Sequence, residues 1–107
     1  MNVQNIDLIN EAKTALKNIY GGRLAKVILY GSYARGEQTA ESDIDLLVVL
    51  KDADVSAWKE IRFINDSLFP ISLQHSVDLS AHAISSQRYE TEASFFLNRV
   101  RKEGREL

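Results

Sequence analysis

The sequence predicts an α/β (α+β) domain: a small mixed β-sheet with helices packed against it. Three observations carry this. Stretches with helical apolar spacing alternate with short apolar runs, in the order helix, strand, helix, strand, helix, strand, helix. The run Ile44–Leu50 is apolar at positions that face both sides of a strand, which marks a central strand with both faces covered. Glycines and the only proline fall between these segments, where the chain must turn.

The first element runs from about Ile6 to Ile19. Ile6, Ile9, Lys13, Leu16 and Tyr20 lie along one stripe with Ala12 and Ala15 beside it, Asn5 is positioned to cap the start, and Gly21-Gly22 stops it. Ala25–Tyr30 reads as the first strand, broken by Gly31. A short helix over Tyr33–Glu37 begins right after Ser32, residues 38–41 form a loop, and Asp43–Leu50 is the second strand. Asp52-Ala53-Asp54 makes a turn and offers an N-cap. Val55, Trp58, Ile61, Ile64 and Leu68 then follow at helical spacing, with Trp58 in the packed stripe, until Pro70 ends the helix. Ile71–Leu79 alternates, with Leu73, Val77 and Leu79 on one face and Gln74, Ser76 and Asp78 on the other, and predicts a third strand. Ser85-Ser86 cap a final helix packed through Tyr89, Ala93, Phe96, Leu97 and Val100, and residues 101–106 form a solvated tail.

At 107 residues, with 45% hydrophobic and 26% charged positions, this is one domain of ordinary globular composition, 1–107. No apolar run reaches the roughly 18 residues of a membrane span. Met1–Asn5 lacks a basic-then-apolar leader pattern. Without cysteine there are no disulfides or thiolate metal sites, and a reducing cytoplasmic setting is the expectation. Thirteen Lys and Arg against fifteen Asp and Glu give a net charge of −2, so direct nucleic-acid binding, which favours a basic footprint, is not expected.

The chemistry concentrates in Gly31-Ser32-Tyr33-Ala34-Arg35-Gly36 and Ser42-Asp43-Ile44-Asp45. Gly31 lets backbone approach a ligand closely, and Ser32 offers a hydroxyl and an N–H at a helix start, where anions are favoured; taken alone, an ordinary strand-to-helix turn is the competing reading. Arg35, one turn on, supplies a fork for a phosphate oxygen. Gly31 and Gly36 have the spacing of a Walker loop, but Glu37 stands where that loop needs lysine, so the Walker reading fails. Asp43 and Asp45, one residue apart on a strand, share a face at roughly 7 Å. Set against an apolar strand, two like charges are costly without a cation, which points to Mg²⁺ shared with a triphosphate; an acidic strand entry that serves solubility is the competing reading. Asp78, on the polar face of the third strand, is the candidate third carboxylate and general base; a plain surface aspartate is the competing reading. His75 reads as a satisfied core or edge histidine, His82, following the third strand, as a minor candidate for the site, and Phe95, off the packed stripe, as either a partner-surface residue or one ordinary exposed apolar side chain.

Taken together these motifs resemble the DNA polymerase beta-like nucleotidyltransferases, and most closely the minimal nucleotidyltransferases (MNT), antitoxins of HEPN–MNT toxin–antitoxin pairs. The pattern G-S, A-R-G, S-D-[IV]-D-L and a later strand acid is matched at every element, and the likeness runs over almost the whole chain. The resemblance implies the nucleotidyltransferase fold. It implies that Gly31, Ser32, Arg35 and Ser42 bind the nucleotide, that Asp43, Asp45 and Asp78 bind Mg²⁺, and that Asp78 acts as base. It further implies transfer of AMP from ATP to a tyrosine of a HEPN RNase toxin. A bare catalytic domain with no room for a substrate module fits an acceptor that docks from outside. Two rivals stay open: nucleotidyl transfer to a small hydroxylated molecule of the aminoglycoside kind, and a non-catalytic module that neutralises its partner by occlusion through Phe95 and the last helix.

Overall fold

The computed structural model describes residues 5–107; the reading of Met1–Gln4 as lacking a leader pattern lies outside the described residues. Its spine is β2 (Ile44–Leu50), buried at every residue from Leu46 to Leu50. β1 (Leu24–Tyr30) pairs antiparallel with β2, and β3 (Leu79–Ser85) pairs parallel on its other side. A two-residue β4 (Arg105–Glu106) adds antiparallel to β1, giving the order β3-β2-β1-β4, a mixed sheet as predicted.

Side-chain alternation sorts the sheet into two faces. Val27, Leu29, Ile44, Leu46, Val48, Leu50, Ala81 and Ala83 point to one face, covered by Leu8, Ile9, Ala12 and Leu16 of α1 (Ile6–Tyr20) and by Ile64 and Leu68 of α3 (Ala57–His75). Ile28, Leu47, Val49 and Ile84 point to the other, covered by Tyr89 of α4 (Ser86–Thr91) and by Leu97 and Val100 of α5 (Phe95–Glu103). Leu46 is fully buried in the larger layer. Leu46→Ala is expected to cost about 2–5 kcal/mol in urea denaturation, whereas Phe95→Ser, at an 80% exposed position, should stay within about 0.5 kcal/mol.

Several expectations are corrected. The segment read as a strand from Ile71 is the last turn of α3, and β3 begins only at Leu79. Pro70 lies inside α3 rather than ending it. It sits on the solvent side, while Ile64, Leu68 and Ile71 continue one inward stripe across it. Ser56, not Asp52–Asp54, caps α3, its hydroxyl accepting from the Lys59 N–H. Trp58 is 85% exposed rather than packed. Asn5 occupies the cap position of α1 in a left-handed conformation without a capping bond; its amide instead donates to the Tyr33 hydroxyl, tying α1 to α2 (Ser32–Arg35). The final helix is two: Ser85 caps α4 and Ser94 caps α5, with Ala93 between them, and Phe96 is half exposed. The supposed tail closes α5 and forms β4. His75 ends α3 and pairs with Glu11 at 2.8 Å.

Candidate active site

Gly31 leaves β1 with φ 75° and ψ −155°, a conformation open only to glycine, and turns the chain directly into α2. Its carbonyl accepts from the N–H groups of Ala34 and Arg35, which closes the turn. Gly36, left-handed at φ 71°, ends α2 after four residues. From β4, Arg105 reaches back and donates from Nε to the Ala34 carbonyl at 2.9 Å, so the last strand braces the turn.

Asp45 follows from the register of the sheet. It stands opposite Tyr30 and beside Ser80, on the α4/α5 face, at the edge where the cover of Leu47 and Val49 stops. It also touches the turn. A Cβ added at Gly31 would lie 3.2 Å from the Asp45 Cγ and overlap its Oδ2. The phosphate-type turn and the carboxylate are therefore one site, and glycine is required there twice over, by dihedral and by space.

Burial pushes the Asp45 carboxyl above its ordinary range, and the charge of Asp43 adds to this; His82 and Arg35 pull it back. The Tyr30 hydroxyl is driven up to about 12, first by burial and then by Asp45, so it stays neutral. Because the folded chain holds the Asp45 proton more tightly than the unfolded chain, the group favours folding at low pH, and that contribution is lost as pH rises through its folded value. Without divalent cation, Asp45→Asn should raise the melting temperature at pH 7, and the gain should fade as pH drops towards the carboxylate range near about 4, read by calorimetry.

The other predicted residues fall as follows. Asp43 is exposed and close enough to load charge onto Asp45. Asp78 lies before β3 rather than near its end. Its carbonyl accepts the Ile44 N–H at 2.9 Å, and continuing the register one step sets Asp78 across from Asp43. Among the described residues no three carboxylate or imidazole side chains converge as a metal cluster: Asp43 and Asp45 are together, and Asp78 flanks them. Ser32 opens α2, half-buried, and the first N–H groups of any helix lack partners within it. The Ser42 hydroxyl is taken by the Thr39 N–H at 2.8 Å, so it shapes the loop ahead of Asp43. Arg35 bonds Glu37 at 2.7 Å and Glu103 at 3.5 Å on the surface, where solvent screens such pairs strongly.

Two features escape the motif. His82 stands within β3 rather than after it, and lies near enough to act on Asp45. A cleft of about 220 Å³ opens beside Gly31, walled by Tyr30, Arg35, Phe96, Arg99 and Glu103. Tyr30 and Phe96 meet edge to face there at 5.4 Å. It is smaller than a pocket that encloses a whole drug-sized ligand.

For a divalent cation, the donor set fits. Two hard carboxylates whose mutual repulsion His82 and Arg35 offset only in part are the kind of set Mg²⁺ takes when substrate oxygens and water complete its shell.

Comparison with known proteins places the fold and the family. A family model described as "Nucleotidyltransferase domain" matches residues 9–102. A Methanocaldococcus jannaschii protein named "Putative protein adenylyltransferase MJ0604" is 38% identical over 92% of this chain and 93% of its own length. Among solved structures, a "putative nucleotidyltransferase from Sulfolobus solfataricus" superposes with a TM-score of 0.68 at 19% identity, over 94% of this chain and 76% of that one. A "toxin-antitoxin with AMP-PNP" superposes with a TM-score of 0.59 at 18% identity, over 89% and 68%. At such identities the two structures establish the fold.

Proposed function

This chain belongs to the nucleotidyltransferase domain family, of DNA polymerase beta-like fold, and we propose that it transfers AMP from ATP to a hydroxyl of a partner protein, as the antitoxin of a toxin–antitoxin pair. The observation that carries the reading is the contact of Gly31 with Asp45, which joins a phosphate-holding turn to a cation-holding carboxylate pair. The adenylyl and protein parts draw support from the M. jannaschii relative, and the antitoxin part from the toxin–antitoxin neighbour. The HEPN-type RNase as toxin and tyrosine as acceptor follow from the motif resemblance.

In this mechanism Gly31 and Ser32 hold the triphosphate, with Arg35 swinging from Glu37 and Glu103 to a phosphate oxygen. Asp43 and Asp45 would hold Mg²⁺. Bound there, the ion supplies charge neutralisation at the α-phosphate and at the departing oxygens. The acceptor oxygen attacks the α-phosphorus, the bond to the bridging oxygen of the β-phosphate breaks, and pyrophosphate leaves. Asp78, flanking Asp43, takes the acceptor proton. Exposed Phe95 at the start of α5, adjoining the Tyr30–Phe96 cleft, gives a docked protein its apolar foothold.

The test is intact mass of the protein encoded beside this one after incubation with ATP and Mg²⁺, followed by peptide mapping. One or more AMP groups on a tyrosine is the expected result. Efficient adenylylation of small alcohols with none on the protein would favour the aminoglycoside-like rival. Inhibition that persists at equal concentration in Asp43→Asn would favour occlusion.

A further inference from the structure

The outer face of α3 carries apolar side chains that nothing in the fold covers. Trp58, Phe69 and Leu73 are 85%, 55% and 64% exposed. With Arg62 and Asn65 they follow at spacings of four, three, four and four, which places all five on one solvent-facing stripe. The three apolar side chains alone expose on the order of 400 Å², at the level where a patch marks an interaction surface. Asp66 borders the stripe, and among the described residues neither Arg62 nor Asp66 is held in an ion pair within the chain.

We infer that this stripe is the interface of a two-fold homodimer in which α3 packs antiparallel against α3 of a second copy. The stripe is complementary to itself, as a two-fold interface must be. Its midpoint falls between Asn65 and Asp66. Reversing the helix about that point sets Trp58 against Leu73 of the second copy and Arg62 against Phe69, where a guanidinium stacks on a ring. Asp66 of the second copy then lies within roughly one helical turn of Arg62 and on the same side of the pair, so the cation and the carboxylate meet twice. Parallel packing would set Arg62 against Arg62 and lose both pairs. With the Arg62 stem and Asn65 included, the two faces remove roughly 1,000 Å² from water, the lower bound for a specific interface. α3 covers the sheet face opposite to Asp45, so dimerisation leaves both active sites open.

Sedimentation equilibrium of the chain alone at micromolar concentration tests this. The expected result is a dimer, with its dissociation constant raised about tenfold or more by Arg62→Glu or by Asp66→Arg, and partly restored by the two substitutions together, which return the ion pairs but not the stacking on Phe69. Both positions are on the surface, and circular dichroism checks that the fold is kept. A monomeric wild-type chain would overturn the inference, as would a double variant no tighter than the single ones. Equally contradictory would be a monomer whose co-purification with the neighbouring-gene protein is broken by Trp58→Glu, because the face would then belong to a different partner.

Discussion

Asp43→Asn and Asp45→Asn are each expected to lower the rate of the proposed AMP transfer by on the order of 10³-fold while leaving the chain folded. The two carboxylates share one strand edge and repel each other, and Asp45 is held above its ordinary range by burial and by Asp43. That arrangement stores unfavourable charge that His82 and Arg35 offset only in part, so in the proposed mechanism the pair does little for folding and much for the reaction. Single-turnover transfer at saturating ATP measures the loss, and a far-UV spectrum with a thermal melt shows that the fold persists. Retained transfer in either variant would remove the carboxylate pair from the mechanism. The Asp45 variant should in addition melt higher than wild type without divalent cation, an opposite movement of stability and activity that a plain core residue would not give.

Gly31→Ala is the second large effect, and it strikes fold and chemistry together. An L-residue at φ 75° and ψ −155° costs about 1–3 kcal/mol in backbone strain. The added methyl also collides with the Asp45 carboxylate, so either the turn or Asp45 has to move. A displacement of about 1 Å in a site of this kind costs on the order of 100-fold in rate. The expected result is a lowered urea midpoint together with a loss of transfer beyond what the unfolded fraction explains. Gly22→Ala is the control, since a Cβ there meets nothing within 4 Å. Equal effects at the two glycines would mean that Gly31 acts through chain flexibility alone.

The site was legible where its determinants are local. A glycine followed by serine after an apolar strand, and two aspartates one residue apart at the head of another, need no knowledge of the fold. Their contact does need it: Gly31 meets Asp45 because β1 and β2 pair antiparallel with Tyr30 opposite Asp45, a register that no spacing encodes. His82 comes near Asp45 for the same kind of reason, through the parallel pairing of β2 with β3. The region from Ile71 to Leu79 was misread because it satisfies two periods at once. Alternation suggests a strand, yet Ile64, Leu68 and Ile71 also continue the α3 stripe, and burial against the sheet outweighs the hydrogen bond that Pro70 cannot make. Trp58 belongs to the same helix but lies roughly a third of a turn from the centre of its buried stripe, a difference that composition favours ignoring. β4 is two residues long and owes its existence to pairing with β1, so it left no pattern to find.

Transfer with ATP labelled either on the α-phosphate or on the γ-phosphate, with the neighbouring-gene protein as acceptor and Mg²⁺ present, tests nucleotidyl transfer most directly. The prediction is that the α-label alone becomes protein-bound, with one pyrophosphate released per AMP added and with no transfer by Asp43→Asn. Protein-bound γ-label, or α-label incorporated equally well by Asp43→Asn, would contradict it.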